Sequence, residues 1–165
     1  MPDTPFDYLA VLRILRERGV EFIIVGGVAA VLHGAPAVTF DLDVVHARSP
    51  ENIDRLLDAL RELEAFYRVQ EGTRLVPGPS HLASPGQQIL QTRHGRLDLL
   101  GTVTGGRGYE ELLAESEIVE LGDFDVLVVG LEGLVRLKEE AGRDKDRAHL
   151  PLLRALLRLG DADGG

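Results

Sequence analysis

Helical spacing and short apolar runs alternate along the chain, so the pattern predicts both helices and strands. Apolar residues three or four positions apart follow Thr4-Pro5 up to Gly19, as expected for an amphipathic helix with proline in its first turn. Short apolar runs bounded by glycines and polar turns are typical of strands. In chain order, the pattern predicts a helix over 5–18, a strand over 21–25, a helix over 28–33, a strand over 39–46, a helix over 50–63, strands over 89–92 and 96–100, a short helix over 109–114, strands over 118–121 and 124–129, and helices over 131–141 and 144–159.

This order of elements indicates one α+β domain with helices packed on a mixed β-sheet. Between residues 67 and 85 the pattern weakens, and it predicts loops around at most one short strand. The 165 residues show no internal repeat and no linker, so we expect a single domain over 1–160 and a disordered tail over 161–165. The topology of the sheet does not follow from the pattern.

Composition and charge exclude or disfavour several classes of function. The net charge of −9 disfavours generic nucleic-acid binding, although it leaves room for a local basic groove or a metal site built from carboxylates. The chain has no cysteine, which excludes disulfides, thiolate nucleophiles and cysteine-based zinc sites and fits a cytoplasmic location. No apolar run approaches the roughly 20 residues that span a bilayer, and no signal peptide is recognisable, so we expect no membrane association.

Two acidic residues stand out inside an apolar strand. Asp41 and Asp43 flank Leu42, and because side chains alternate along a strand they share one face, about 6.6 Å apart. Carboxylates so placed repel each other unless a cation lies between them, and Mg²⁺ prefers oxygen ligands. Asp98, the one acid in another strand-like run, is the candidate third ligand. The alternative is a solvated sheet face, which Asp-x-Asp taken alone favours.

A glycine pair precedes these carboxylates. Gly26-Gly27 lies between a predicted strand and a short helix, where glycines let backbone N–H groups approach a phosphate. The alternative is a plain tight turn. A phosphate cradle beside a magnesium site is the arrangement that phosphoryl or nucleotidyl transfer requires.

These residues resemble a known family. Gly26-Gly27, Ala29-Ala30, His33-Gly34, Thr39, Asp41 and Asp43 are similar to the signature of the polymerase-beta-like nucleotidyltransferases. The segments 131–134 and 141–146, with Lys138 between them, resemble the C-terminal block of bacterial nucleotidyltransferases related to abortive-infection (AbiEii-type) toxins. The resemblance covers about 20–153, most of the chain.

The resemblance implies a nucleotidyltransferase-like mixed sheet and transfer of a nucleoside monophosphate from a nucleoside triphosphate (NTP) to a hydroxyl acceptor. It implies phosphate contacts from Gly26 and Gly27, a hydrogen bond from Thr39, and Mg²⁺ held by Asp41 and Asp43. It makes Asp98 a further metal ligand or the proton acceptor. The residues that would face the nucleotide or the acceptor are Lys138, Arg143 and Lys145.

Other interpretations stay open at this point. Without the resemblance, the three basic residues also fit solvated helix faces, and the glycine-rich segment 101–108 fits a plain connection or a loop near the acceptor. Ala37 stands where relatives commonly carry arginine, and loss of that cation would weaken triphosphate binding. We therefore weigh three functions: an Mg²⁺-dependent enzyme acting on tRNA, protein or a small molecule, for instance as the toxin partner of an antitoxin; a non-catalytic nucleotide- or partner-binding module; and a regulatory protein in a complex.

Overall fold

The computed structural model describes residues 5–68 and 74–163, with side chains described up to residue 160. Helices and strands alternate along the chain much as the apolar pattern predicts. The helices are α1 (Tyr8–Glu17), α2 (Gly26–Leu32), α3 (Pro50–Glu62), α4 (Pro79–Ala83), α5 (Tyr109–Leu112), α6 (Leu131–Ala141) and α7 (Asp144–Asp163), and a 3₁₀ turn (Leu113–Glu115) follows α5. The strands are β1 (Phe22–Val25), β2 (Asp41–His46), β3 (Phe66–Tyr67), β4 (Gln87–Thr92), β5 (Gly95–Leu100), β6 (Ser116–Glu120) and β7 (Asp125–Val129).

All seven strands form one mixed sheet in the order β3-β4-β5-β2-β1-β7-β6. The centre of the sheet is β5-β2-β1-β7, where β2 runs parallel to β5, antiparallel to β1, and β1 runs parallel to β7. Hairpin partners β4 and β6 extend the sheet on either side. The α+β architecture expected from the sequence is therefore confirmed.

Burial of the central strands places the core around β1, β2 and β5. All four residues of β1 are buried, and Leu42, Leu97 and Leu99 are completely buried. Burying a leucine side chain contributes about 1.5–3 kcal/mol, so these strands are held firmly. Helix α3 packs against α1 and α4, and helix α6 packs against α2 and α7. No helix in the described part of the chain is long and apolar enough to cross a membrane.

The structure differs from the sequence-based expectation at several helices. Helix α2 begins at Gly26 rather than at 28, and α7 continues to Asp163, so residues 161–163 are helical rather than part of a disordered tail. The first helix begins at Tyr8 rather than at Pro5, because the Asp7 side chain accepts a hydrogen bond from the backbone N–H of Ala10 and caps the helix there. The Asp7 backbone N–H also donates to His94 O at 2.8 Å, which ties this segment to the β4–β5 turn. Helix α4 lies where loops are predicted; Pro79 opens it. Residues 69–73 of the weak segment lie outside the described residues.

Asn52 joins β1, which leads into the glycine pair, to β2, which carries Asp41 and Asp43. Its side chain is fully buried, accepts a hydrogen bond from Glu21 N at 2.7 Å, and donates to Glu21 O at 3.1 Å and Ala47 O at 2.7 Å. Glu21 precedes β1 and Ala47 follows β2. One side chain from α3 thus fixes the open ends of both strands.

We expect Asn52→Ala to lower the free energy of unfolding by about 2–4 kcal/mol, because the Glu21 N–H and the Ala47 carbonyl lose their hydrogen bonds to the buried Asn52 side chain. Urea unfolding followed by circular dichroism measures the loss. Asp54→Ala, at an exposed position of the same helix, is the control and should change stability by about 0.5 kcal/mol or less. Equal effects of the two substitutions would contradict the role given to Asn52.

Candidate active site

The carboxylates of Asp43 and Asp98 lie side by side on neighbouring strands. In the parallel pairing of β2 with β5, Asp43 is the register partner of Asp98, and Asp41 is the partner of Arg96. Residues that pair in register point to the same face of a sheet, and residues two apart on a strand do so as well. All three aspartates therefore project from one face. Asp43 and Asp98 share a hydrogen bond, and the charge of Asp41 acts on both.

Burial and mutual repulsion alter the ionisation of this pair. Removal from water raises the pKa of Asp43 from an ordinary value of 3.8 to about 7; the charges of Asp98 and Asp41 add to the rise, and Lys145 opposes it. Burial also raises the pKa of Asp98, against the opposing effect of the Arg68 guanidinium. The raised pKa values of both carboxylates indicate that the nearby cations offset the negative charge of this site only in part.

The donor set fits a hard divalent cation. Asp41 Oδ1 is buried and has no hydrogen-bond partner among the described residues, and the Arg96 guanidinium nitrogen nearest to it is 3.8 Å away. Carboxylate oxygens are the ligands that Mg²⁺ prefers. Within residues 5–68 and 74–163, no three acidic, histidine or cysteine side chains are already close enough to ligate one ion. Asp41, Asp43 and Asp98 would have to rearrange to hold one ion together.

Gly26 and Gly27 open α2 directly beside these carboxylates. Gly26 has a φ of +71°, and a Cβ there would overlap the carboxylate of Asp43. A Cβ on Gly27 would lie 2.6 Å from Thr39 Oγ1, whose hydroxyl donates to Asp41 O at 3.2 Å. The absence of side chains at both positions is thus required by the aspartate strand and the threonine before it. The glycine pair is part of the same cluster, as the sequence analysis expects.

The predicted basic residues approach the site from α6 and α7. Lys138 Nζ lies 3.4 Å from Asp146 Oδ1, and Arg143 Nε lies 2.7 Å from Asp146 Oδ2. Burial alone would raise the pKa of Asp146, but the hydrogen bonds and charges of Arg143 and Lys138 outweigh it and lower the pKa. The Lys145 side chain is exposed and close enough to Asp43 to affect its pKa.

Two cavities meet at the cluster. The first, here called the glycine cavity, has a volume of about 190 Å³ and lies between Gly26-Gly27, the segment 37–39 and the start of α7, with Asp41 and Asp43 on its wall. The second, here called the apolar cavity, has a volume of about 130 Å³ and lies between the end of β5, residues 103–104 and α6. They share one wall, made by Gly26, Asp43, Lys138, Arg143 and Asp146. A larger cavity of about 450 Å³ beside β3 touches none of these residues.

Two residues of the cluster are missing from the sequence-based set. Arg68 donates to Asp98 Oδ1 at 2.7 Å and to Leu90 O at 2.9 Å, so it fixes the orientation of the Asp98 carboxylate. Asp146, of which 1% is exposed, holds Lys138 and Arg143 in place. An acid within the basic segment 143–147 was a visible signal for Asp146. Nothing local marks Arg68, because its partner is 30 residues away in the sequence.

A mixed sheet with carboxylates on two adjacent strands, next to a helix opened by glycines, defines a nucleotidyltransferase fold. Solved structures agree. A lincosamide antibiotic adenylyltransferase, LnuA, with lincomycin bound, matches with a TM-score of 0.62 at 13% identity over 90% of this chain and 95% of that chain. A Thermotoga maritima protein described as a candidate nucleotidyltransferase matches with a TM-score of 0.57 at 18% identity over 87% of this chain and 90% of that chain.

The family itself is given by the sequence. Residues 5–161 match the family described as "Nucleotidyl transferase of unknown function (DUF2204)", and the chain belongs to this family. No curated protein sequence matches the chain. The broader superfamily predicted from the sequence is therefore confirmed, whereas the abortive-infection branch stays a prediction.

We expect Asp43→Asn to stabilise the protein more at pH 8 than at pH 5 when divalent ions are removed with EDTA. Because the folded-state pKa of Asp43 is raised to about 7, the folded protein holds a proton there that the unfolded chain releases near pH 4, and stability falls as pH rises through this window. Asparagine can donate to Asp98 at any pH. The gain at pH 8 over pH 5 should be about 2–4 kcal/mol.

Urea unfolding of wild type and variant at both pH values measures this difference, with Asp54→Asn at an exposed site as the control. If Asp43→Asn changes the free energy of unfolding by the same amount at pH 5 and pH 8, the raised pKa of Asp43 does not lower the stability of the protein.

Proposed function

We propose that this protein transfers a nucleoside monophosphate from an NTP to a hydroxyl acceptor with Mg²⁺ bound at Asp41 and Asp43. The observation that carries the proposal is Asp43, which lies beside Asp98 and near a buried Asp41 oxygen that has no hydrogen-bond partner among the described residues. Asp41 and Asp43 line a cavity that also holds basic residues. Such a cluster lacks a cation and borders a space suited to phosphates. Membership in a nucleotidyl transferase family supports the same reaction class.

Each residue of the cluster has a role in this reaction. Mg²⁺, when bound, neutralises the triphosphate charge and aligns the reacting groups. The phosphates bind to Lys138, Arg143 and Lys145. Because Gly26 and Gly27 have no side chains, the phosphates can come close to Asp43. Thr39 holds the start of β2 against Gly27. These contacts orient the triphosphate and stabilise the negative charge of the leaving group.

Asp98 acts on the acceptor. The acceptor oxygen forms a bond to the α-phosphorus while the bond from that phosphorus to the β-phosphate oxygen breaks, and pyrophosphate leaves. The hydroxyl proton passes to Asp98, whose raised pKa suits a proton acceptor at neutral pH. Arg68 holds the Asp98 carboxylate in one orientation for this transfer.

LnuA supplies the first reagents to test. It is described as a lincosamide antibiotic adenylyltransferase with lincomycin bound, which supports ATP as a donor to test and a small molecule as an acceptor to test. The other candidate acceptors are tRNA and protein. The toxin role and the antitoxin or regulatory partner implied by the sequence resemblance remain predictions, since the family match and the shared fold do not address them.

A second candidate function, a non-catalytic binding module, is favoured by Ala37. This residue lines the glycine cavity where relatives commonly have arginine, so the cavity has one cation fewer for a triphosphate. In such a module the fold and nucleotide binding persist while transfer is lost.

We expect Asp41→Asn and Asp43→Asn each to weaken binding of NTP with Mg²⁺ by about tenfold or more, or about 1.4 kcal/mol, because each removes a charged oxygen ligand. Isothermal titration calorimetry with Mg²⁺ and each of the four common NTPs measures the affinity. Asp54→Asn, which removes an exposed charge on α3, should bind like the wild type. Equal affinity in all four proteins would overturn the proposed metal site.

Transfer distinguishes the two candidate functions. With α-labelled ATP and pooled tRNA, protein and small hydroxyl compounds, we expect an Asp41-dependent labelled product, and Ala37→Arg should tighten ATP binding by supplying the missing cation. Binding of Mg²⁺ and NTP without any labelled product from these pools would favour the non-catalytic module instead. A labelled product that persists in Asp41→Asn would contradict both.

A further inference from the structure

The apolar cavity differs from the glycine cavity in the chemistry of its own wall. Beyond the shared wall, the glycine cavity combines apolar residues such as Val38 and Leu152 with the polar or charged residues Thr39, Asp41, Lys145 and His149. Beyond the shared wall, the apolar cavity has Thr104 and six apolar residues: Val25, Leu100, Val103, Leu134, Leu137 and Ala141. A charged group would find no counterpart there, whereas an apolar one would gain from leaving water.

The loop that closes the apolar cavity is held in place. Val103 N donates to Arg107 O at 2.8 Å, and Gly106 N donates to Val103 O at 3.0 Å. The Arg107 side chain binds Glu140 at 2.8 Å and Glu115 at 3.3 Å. The loop is thereby fixed to α6 and to the 3₁₀ turn, so the cavity is preformed. The charge of Arg107 is neutralised by these two glutamates.

The two cavities lie where two substrates must meet. Transfer to a hydroxyl requires the attacking and leaving oxygens on opposite sides of phosphorus. Asp43 and Gly26 border both cavities, so molecules in the two spaces face each other across the carboxylate cluster. Of the proposed phosphate-binding groups, Gly27 and Lys145 border only the glycine cavity, and none borders only the apolar cavity. The acceptor is then left with the apolar side.

We propose that the apolar cavity is the acceptor site, and that the acceptor is an uncharged small molecule whose hydroxyl is attached to an apolar body. This inference rests on the proposed function. A nucleic-acid acceptor needs a track of free cations. In the described residues, Arg107 and Arg136 are paired with glutamates, and Lys138 and Arg143 on the shared wall are paired with Asp146. The net charge of −9 acts in the same direction. The acceptor hydroxyl meets the α-phosphate at Asp43, pyrophosphate leaves on the glycine side, and the proton passes to Asp98.

Methyl-labelled protein tests this assignment in two independent arms. The first arm titrates 2-phenylethanol, a neutral hydroxyl compound with an apolar body, and follows the methyl NMR signals of leucine and valine. We expect shifts at Val103 and Leu137. The second arm titrates α,β-methylene ATP, which cannot be cleaved between its α- and β-phosphates, with Mg²⁺. We expect shifts at Val38 and Leu152 on the glycine side and none at Val103.

A pair of substitutions sharpens the test. Ala141→Trp fills the apolar cavity and should weaken 2-phenylethanol binding by about tenfold or more while changing affinity for the ATP analogue by about twofold or less. Ala148→Trp adds the same bulk at an exposed position of α7 outside both cavities and should change neither. The wild-type titrations stand by themselves if either variant folds poorly.

The outcomes separate the two proposals. Shifts at Val103 and Leu137 on adding the ATP analogue, or failure of 2-phenylethanol to shift them at millimolar concentration, would overturn the acceptor site. The absence of any response to the ATP analogue, with 2-phenylethanol still shifting Val103, would overturn the proposed nucleotidyl transfer and leave a small-molecule site. Labelling of tRNA in the transfer assay, with no labelling of 2-phenylethanol, would also contradict this inference.

Discussion

The organisation of this site depends on the repulsion between Asp43 and Asp98. The parallel pairing of β2 with β5 makes the two carboxylates register partners, and burial next to each other raises the pKa of both. Water cannot screen the charges, so compensation has to come from groups of opposite charge. Arg68 supplies part of it from one side and Lys145 part of it from the other. What remains is a deficit of positive charge, which a bound divalent cation would fill.

The backbone around this pair is rigid, as a repulsive contact requires. β1 is buried on both faces, and Asn52 ties the start of β1 to the end of β2. Gly26 must lack a side chain because the Asp43 carboxylate occupies the space of its Cβ. A site that stores unfavourable electrostatic energy lowers the stability of the protein, and packing elsewhere offsets that cost. The fully buried leucines of β2 and β5 provide such packing on the same strands.

Local patterns predict those parts of the structure that depend on local geometry. Alternation along β2 places Asp41 and Asp43 on one face, and the break at Gly26-Gly27 marks the junction of β1 with α2. The parallel pairing that sets Asp43 opposite Asp98 is a tertiary fact, and no periodicity encodes it. The sequence analysis misses Arg68 for the same reason, because its role comes from a hydrogen bond to Asp98 on β5. Helix α4 was missed because its five residues are too few to show a helical period.

The basic residues suggest how metal and nucleotide depend on each other. Asp146 already satisfies Lys138 and Arg143, and its burial makes it costly to leave without them. A triphosphate therefore has to share these cations with Asp146 rather than take them. Lys145 is the basic residue of the predicted set without an ion-pair partner among the described residues, and its charge already acts on Asp43. A triphosphate carries more negative charge than this one lysine can offset, so the proposed binding of a triphosphate would call for a cation at Asp41 and Asp43. With this coupling, the metal and the nucleotide would each bind weakly alone. It would therefore favour binding of the metal–nucleotide complex.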